Sequence, residues 1–282
     1  MMFRIRTALA ALAATVLVGV TSAGPATAIT GGEPDGNDHP NVALILFYDA
    51  TGRFRCTATL ISPTVLITAA HCTDGDVGKV LVDFDSVIAE TPPNPYPLAA
   101  DPAIGYTAAE IAAMGELSGT AYAHPDYSDF TDMKNWNDVG VVVLDQPVDI
   151  APATLAPQDY LNRFVPKVLN KTAFDVVGYG TEVRQAESGP QKPTPMSYPI
   201  IRRQTSVIGQ KLTSQILQGN GNEHDPRAGG GTCFGDSGGP VFHHGLIVGV
   251  TSYGYTDNCR YLDGYQRVDI QGVQSWVSSF TG

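Results

Sequence analysis

Three short stretches carry side chains that could together do acyl-transfer chemistry: Thr68-Ala69-Ala70-His71-Cys72, Asn137-Asp138-Val139-Gly140-Val141 and Gly235-Asp236-Ser237-Gly238-Gly239-Pro240. A serine hydroxyl is a poor nucleophile at neutral pH. It needs a neutral imidazole to take its proton, and that imidazole needs a buried carboxylate to fix its tautomer. The three stretches supply one group of each kind. The glycines around Ser237 meet a further need, because only a backbone free of Cβ clashes turns sharply enough to aim two N–H groups at one developing oxyanion. Each stretch alone has an ordinary reading: a strand-end histidine, a turn or capping aspartate, a tight glycine turn. Their joint occurrence singles them out.

The elements that must position these groups read as strands. Short apolar or alternating runs bounded by turn residues recur at Val42 to Tyr48, Phe54 to Ile61, Val65 to Ala70, Val80 to Phe84, Val139 to Leu144, Phe174 to Tyr179 and Leu246 to Tyr253. With 43% hydrophobic and 16% charged residues, 30 glycines and 20 prolines, the chain is globular and its build is expected to be all-β. Ser86 to Asn137, with Pro92, Pro93, Pro95 and Pro97, reads as a long surface excursion with one short helix opened by the capping box Thr107-Ala-Ala-Glu110. Proline interrupts the chain again from Ser188 to Pro199. No internal repeat is visible. Ile270, Val273, Trp276, Val277 and Phe280 fall at helical spacing, so the chain is expected to end in an amphipathic helix packed on the last strands.

Residues 1–28 read as a secretory signal, with Arg4 and Arg6 at the start, an apolar core from Ala8 to Val20, and Ala26-Thr27-Ala28 as the cleavage site. That core is shorter than the ~20 apolar residues of a bilayer span, so a secreted, extracellular protein is expected, with no membrane attachment after signal removal. A formal charge of −11 makes nucleic acid a poor partner. The four cysteines, an even count in an exported chain, read as two disulfides in one of three pairings. No two of them have the close spacing of a thiolate metal site.

On the three motifs in this order, the chain resembles the chymotrypsin-like (trypsin-family) serine proteases over roughly Ile29 to Phe280. The resemblance implies two antiparallel six-stranded β-barrels packed face to face, with a C-terminal helix. The first barrel, 29–150, would carry His71 and Asp138, and the second, 151–282, Ser237. Ser237 would be the nucleophile, His71 the general base and then acid, Asp138 the orienting carboxylate, and the amides of Gly235 and Ser237 the oxyanion hole. The implied reaction is peptide-bond hydrolysis through an acyl-enzyme, with no metal or organic cofactor. Activity is expected to rise with pH as His71 becomes neutral, around ~6–7. Polypeptides are the implied substrates, a protein inhibitor is a possible partner, and a monomer is expected.

The resemblance also pairs Cys56 with Cys72 and Cys233 with Cys259. It sets Asp236 to receive the α-ammonium of a mature terminus, which Ile29-Thr30-Gly31-Gly32 matches, with Thr30 where valine is usual. Cleavage after Ala28 would create that terminus directly; cleavage after Ala23 would leave Gly24 to Ala28 as a short propeptide. The Gly-x-Ser-x-Gly elbow of α/β-hydrolases competes for residues 235–239, but chain order excludes it. An acid and a histidine must follow the serine there, and no Asp or Glu separates Ser237 from the last histidines, His243 and His244. His39, His124 and His224 read as surface or packing residues. Two rivals stay open: a catalytically silent relative serving as a binding module, and an esterase on the same scaffold.

The residue six before the nucleophile, at the floor of the family's primary pocket, is Gly231, where trypsin-like members have aspartate. An uncharged floor favours apolar or aromatic residues before the scissile bond, since a buried cation would lack a partner. If Gly264 is the pocket glycine, the site stays neutral; if the register is set on Tyr265, Asp263 enters it. The neutral pocket is favoured because Asp263-Gly264 also reads as a turn. Ser252-Tyr253-Gly254 matches the family's substrate-pairing strand, with Tyr for Trp.

Overall fold

The computed structural model of the chain describes residues 29, 31–183 and 196–282. The expected signal segment and most of the Ser188–Pro199 interruption lie outside the described residues. Six strands form a closed first barrel: β1 (Val42–Asp49), β2 (Gly52–Ser62), β3 (Val65–Thr68), β4 (Val77–Asp83), β5 (Leu117–Ala123) and β6 (Gly140–Leu144). Six more form the second: β7 (Ala173–Gly178), β8 (Arg203–Leu212), β9 (Ile216–Asn220), β10 (Pro240–His243), β11 (Leu246–Gly254) and β12 (Leu262–Arg267). All barrel pairings are antiparallel. Around the first barrel the order is β1-β2-β3-β6-β5-β4, and the second closes as β7-β8-β9-β12-β11-β10. The two halves thus share one circular topology that the sequence does not display as a repeat.

The unbroken apolar run of β1 is explained by burial on both faces. Ala43, Ile45 and Phe47 point into the first barrel with Ala58, Leu60, Leu66 and Val142. Val42, Leu44 and Leu46 join an outer cluster that includes Val177, Phe242 and Val250 of the second barrel. The second barrel has its own interior of Phe174, Val176, Val207, Leu217, Val241 and Tyr265. A fully buried Arg202 bridges the halves, donating to Asp35 Oδ2 at 2.8 Å and to the carbonyls of Val42 at 2.9 Å and Phe84 at 2.8 Å. Such a cation is tolerated in a dry interior only because acceptors surround it.

The structure corrects one expectation and extends another. The excursion between Ser86 and Asn137 is not all surface loop: Leu117–Ala123 is a barrel strand, held between β4 and β6. Its sequence, LSGTAYA, is too small and polar to announce itself by alternation. The helix within the excursion, α1 (Ala108–Met114), forms with the expected capping box, Thr107 Oγ1 accepting the Glu110 N–H and Glu110 accepting the Thr107 N–H. The terminal helix, α2 (Gln271–Thr281), packs across to the first barrel as well as onto the last strands. Val273 and Val277 join Val65 and Ile67, while Trp276 meets the His124 ring at 4.9 Å and Phe280 meets Tyr122 at 5.3 Å. At the other end, Glu33–Pro34 pairs with Arg203 and Gln204 of the second barrel. The chain ends therefore cross over and clasp the halves. Among the described residues no helix is long and apolar enough to cross a membrane.

Candidate active site

The β3–β6 register pairs Thr68 with Gly140, so the residues just beyond Thr68 and just before Gly140 emerge at the same barrel end. His71 sits there in a single 3₁₀ turn, Ala70–Cys72, and the Cys56–Cys72 disulfide fastens that turn to β2. Asp138 is fully buried beside it. Its Oδ1 accepts the His71 backbone N–H at 2.9 Å, and its Oδ2 lies 2.9 Å from His71 Nδ1. An ionised carboxylate only accepts, so the imidazole proton is held on Nδ1 and Nε2 is left as a base. Burial opposes a charged imidazole, but the charge of Asp138 and its hydrogen bond outweigh that effect and raise His71 above the ordinary histidine value. The Ser252 hydroxyl donates to Asp138 Oδ2 at 2.6 Å, and the Asp138 N–H donates to Gln266 Oε1 at 3.0 Å.

Ser237 reaches this end from the β9–β10 connection. Gly238 follows it at φ +76°, where a Cβ would lie 1.9 Å from Thr68 Oγ1, so only glycine lets the loop settle against the strand leading to His71. The Ser237 carbonyl accepts the Thr57 N–H at 2.8 Å, and Gly238 and Gly239 bond to both sides of Thr251 at 2.8 Å. Ser237 is thereby held between Thr57 and Thr68 of the first barrel and Thr251 of the second. Among the described residues no hydrogen bond joins its hydroxyl to His71; such bonds tighten when substrate binds. Gly235 has φ +99°, and its carbonyl is fixed by Thr57 Oγ1 at 2.9 Å. The N–H groups of Gly235 and Ser237 donate to no protein acceptor among the described residues, which leaves both for a ligand. Sequence reasoning passed over Thr57, which bonds to Ser237, Gly235, Tyr179 and Thr68.

Asp236 is fully buried, with its carboxylate accepting from Gly180 N at 2.7 Å and Cys233 N at 2.8 Å. A Cβ on Gly178 or Gly180 would come within 2.2 Å of that carboxylate. Burial pushes its pKa up to about 7 against the pull of the two N–H donors and the Arg55 charge. Ile29 is buried, and no hydrogen bond or ion pair joins it to Asp236 among the described residues. In the uncleaved chain the Ile29 nitrogen is an amide.

Beside Ser237 opens a cleft of about 160 Å³, lined by Thr232, Cys233, Ser252, Tyr253 and Gly254 among others. The Cys233–Cys259 disulfide forms its wall. Gly231 and Gly264 do not line it. Gly231 packs on the Gly221 backbone, and Gly264 lies under the Tyr253 ring. The turn expected at Asp263-Gly264 is corrected: both residues lie inside β12, where Asp263 pairs with Gly254 and Gly264 with Tyr253. Asp263 stands behind the lining, 1% exposed. Its Oδ2 accepts from Thr232 N at 2.8 Å and from Tyr265 Oη at 3.2 Å. Its Oδ1 lies 3.8 Å from where a Gly254 Cβ would be. Burial pushes this carboxyl up to about 7, opposed by the Thr232 and Tyr265 donors. Among the described residues, Cys56, His71 and Cys72 have ligand-like spacing, but the two sulfurs are bonded to each other and offer no thiolate.

The sequence pattern of the Trypsin family matches residues 28–277. A trypsin of Saccharopolyspora erythraea is 30% identical over 260 residues, spanning 89% of this chain and 94% of the relative. Brachyurin of Leptuca pugilator is 28% identical over 254 residues, spanning 87% and 95%. The solved structure of HL collagenase superposes with a TM-score of 0.60 at 20% identity, over 89% of this chain and 96% of that one, which speaks to the fold alone.

Proposed function

The chain belongs to the trypsin family and is a serine endopeptidase acting on polypeptides, and from that premise we propose that Ser237, His71 and Asp138 are its catalytic triad. In this reading Ser237 Oγ attacks the scissile carbonyl carbon while His71 Nε2 takes the hydroxyl proton. Asp138 stabilises the imidazolium so formed, and the Gly235 and Ser237 N–H groups bind the oxyanion. His71 returns the proton to the departing amine. Water then cleaves the acyl-enzyme by the same route, again with His71 as base. Ser252 to Gly254 pair with the extended substrate as an added strand. The carrying observation is the fixed pair of His71 and buried Asp138, with the Ser237 loop locked against the same barrel end through Gly238.

Asp236 is the partner of the mature Ile29 ammonium: its buried carboxyl, pushed up to about 7, is a group that gains from a cation. In the primary pocket, Asp263 rather than a neutral floor sets the choice of residue before the cut, because its Oδ1 lies on the Gly254 side. Arg or Lys side chains are the expected occupants when it is ionised. The remaining assignments complete the reading: a signal at 1–28, units at 29–150 and 151–282, secretion as a monomer free of the membrane, and a protein inhibitor able to occupy the cleft as substrate does. A serine-directed phosphonate should label the mature protein and fail on Ser237→Ala, and the protein should hydrolyse peptide amides as well as esters. An unlabelled mature protein, or equal labelling of the variant, overturns the assignment.

A further inference from the structure

One side chain at this barrel end has no part in the mechanism above. Trp136 is 5% exposed and its indole Nε1–H donates to Ser252 Oγ at 2.9 Å. Ser252 Oγ in turn lies 2.6 Å from Asp138 Oδ2. An indole N–H only donates, an ionised carboxylate only accepts, and a serine hydroxyl has one proton and two lone pairs. The directions are therefore forced. Trp136 gives its proton to a lone pair of Ser252, and the single Ser252 proton is left for Asp138.

We propose that Trp136 is a positioning residue of the active site, committing the Ser252 hydroxyl as a donor to Asp138 and so holding the carboxylate that orients His71. This rests on the triad reading above. Without the indole N–H, the Ser252 hydroxyl is free to rotate about its C–O bond, and Asp138 keeps only the two His71 donors and its own backbone tie to Gln266. The indole is well placed to act as a fixed point. Its ring packs on Phe130 and on Tyr253, at 5.3 Å each. Phe130 itself stands 5.5 Å from the His71 ring. Asn137, the one residue between Trp136 and Asp138, has φ 45° and is tied by its side chain to the Asp126 carbonyl at 3.1 Å. Trp136 and Asp138 thus flank a rigid turn and meet again through Ser252. Two phenols also face this spot: burial and the Asp138 charge hold the Tyr127 hydroxyl well above the usual phenol range, with Asp129 and Asp74 adding to the effect, and burial raises that of Tyr253, so both stay neutral in any ordinary assay.

The test uses the mature protein with Trp136→Phe and, to keep the bicyclic shape while removing only the N–H, β-(3-benzothienyl)alanine at position 136. For a peptide amide, kcat should fall about threefold to tenfold in both, the scale of one neutral hydrogen bond, with KM within about twofold. The acid limb of kcat/KM should move upward, because a carboxylate that has lost a donor holds an imidazolium more strongly. Ser252→Ala with Trp136→Phe should be no slower than Ser252→Ala alone, since the tryptophan acts through the serine. Wild-type kcat and pH profile in the benzothienyl protein, a loss confined to KM, or additive losses in the double variant would overturn the proposal. The benzothienyl protein decides the matter if Trp136→Phe does not fold. Phosphonate labelling separates the two levels: a parent that is not labelled overturns the triad and this role with it, whereas a labelled parent with unchanged variants overturns this role alone.

Discussion

The preference for the residue before the scissile bond should depend on pH, and the dependence should come from Asp263. Its carboxyl is pushed up to about 7 by burial, and its Oδ1 is the oxygen on the Gly254 side of the cleft. A raised carboxyl is neutral below its pKa and charged above it. About 3% would be ionised at pH 5.5 and about 97% at pH 8.5, so the charge available to a substrate cation rises about thirtyfold across that span. The perturbation is therefore pH, and the assay is the ratio of kcat/KM for matched peptides with Arg or Phe before the cut. Taking the ratio cancels the titration of His71, which both substrates share. The ratio should climb by roughly thirtyfold and level off above pH ~8. In Asp263→Asn the buried substrate cation loses its partner, a change on the order of 3–5 kcal/mol, so the Arg peptide should lose about two to three and a half decades and the ratio should become flat with pH. A ratio already flat in the wild type, or one still rising in Asp263→Asn, would refute the reasoning.

The other expectations concern the triad, the activation pair and the frame. The acid limb of kcat/KM should lie above the ordinary histidine value, since Asp138 raises His71, and Asp138→Asn should lower both that limb and kcat; an unchanged limb would show that the carboxylate does not act on the imidazole. In the uncleaved chain, Asp236 at about 7 against an ordinary 3.8 contributes stability that is fully present below pH ~4 and lost as pH rises through 7. Asp236→Asn should therefore match the uncleaved wild type in Tm at pH 4 and exceed it increasingly toward pH 8, while abolishing activity of the mature form; a constant Tm difference with pH would count against an unpaired buried charge. Replacing Cys56 and Cys72 together by serine reopens a 16-residue loop and should lower stability by ~3 kcal/mol in a urea melt, with no change expected only if the native turn holds His71 unaided.

The legible part of this protein is the part whose physics is local. The run from Val42 to Tyr48 announced a strand because every one of its side chains is buried, and Thr107 with Glu110 announced a helix start because a capping box closes within one turn. The strands that sequence missed, Leu117–Ala123, Arg203–Leu212, Ile216–Asn220, Pro240–His243 and Leu262–Arg267, are those whose partners supply the pattern. Leu117–Ala123 is glycine- and serine-bearing because Gly119 must pass close to Val142, so the demand of the neighbour erased the alternation that would have revealed it. The final helix showed its apolar stripe but not its destination, since His124 and Tyr122, which it touches, lie far away in the chain.

The same distinction runs through the site, and it explains why the strand residues Asp263-Gly264 read as a turn. His71, Asp138 and Ser237 stand in motifs whose neighbours are dictated by nearby backbone: Gly238 by contact with Thr68, Asn137 by its positive φ. Their roles can be inferred before any contact is known. Asp263-Gly264 carries no such constraint, and its meaning is set by strand register alone. Between Thr251 and Tyr253 the β11–β12 pairing shifts by one residue, so that Thr251 faces Tyr265 while Gly254 faces Asp263. Had the regular register continued, Gly254 would have faced Leu262, with Asp263 opposite Tyr253 and away from the glycine that opens the cleft. A one-residue irregularity in a ladder thus decides whether a carboxylate stands behind the pocket mouth, and no property of the two residues themselves encodes it. Trp136 and Thr57 were passed over for a related reason. Each acts through hydrogen bonds to residues more than a hundred positions away, Ser252 for one and Ser237 and Gly235 for the other, and the sheet geometry that brings those partners close is the product of the whole fold.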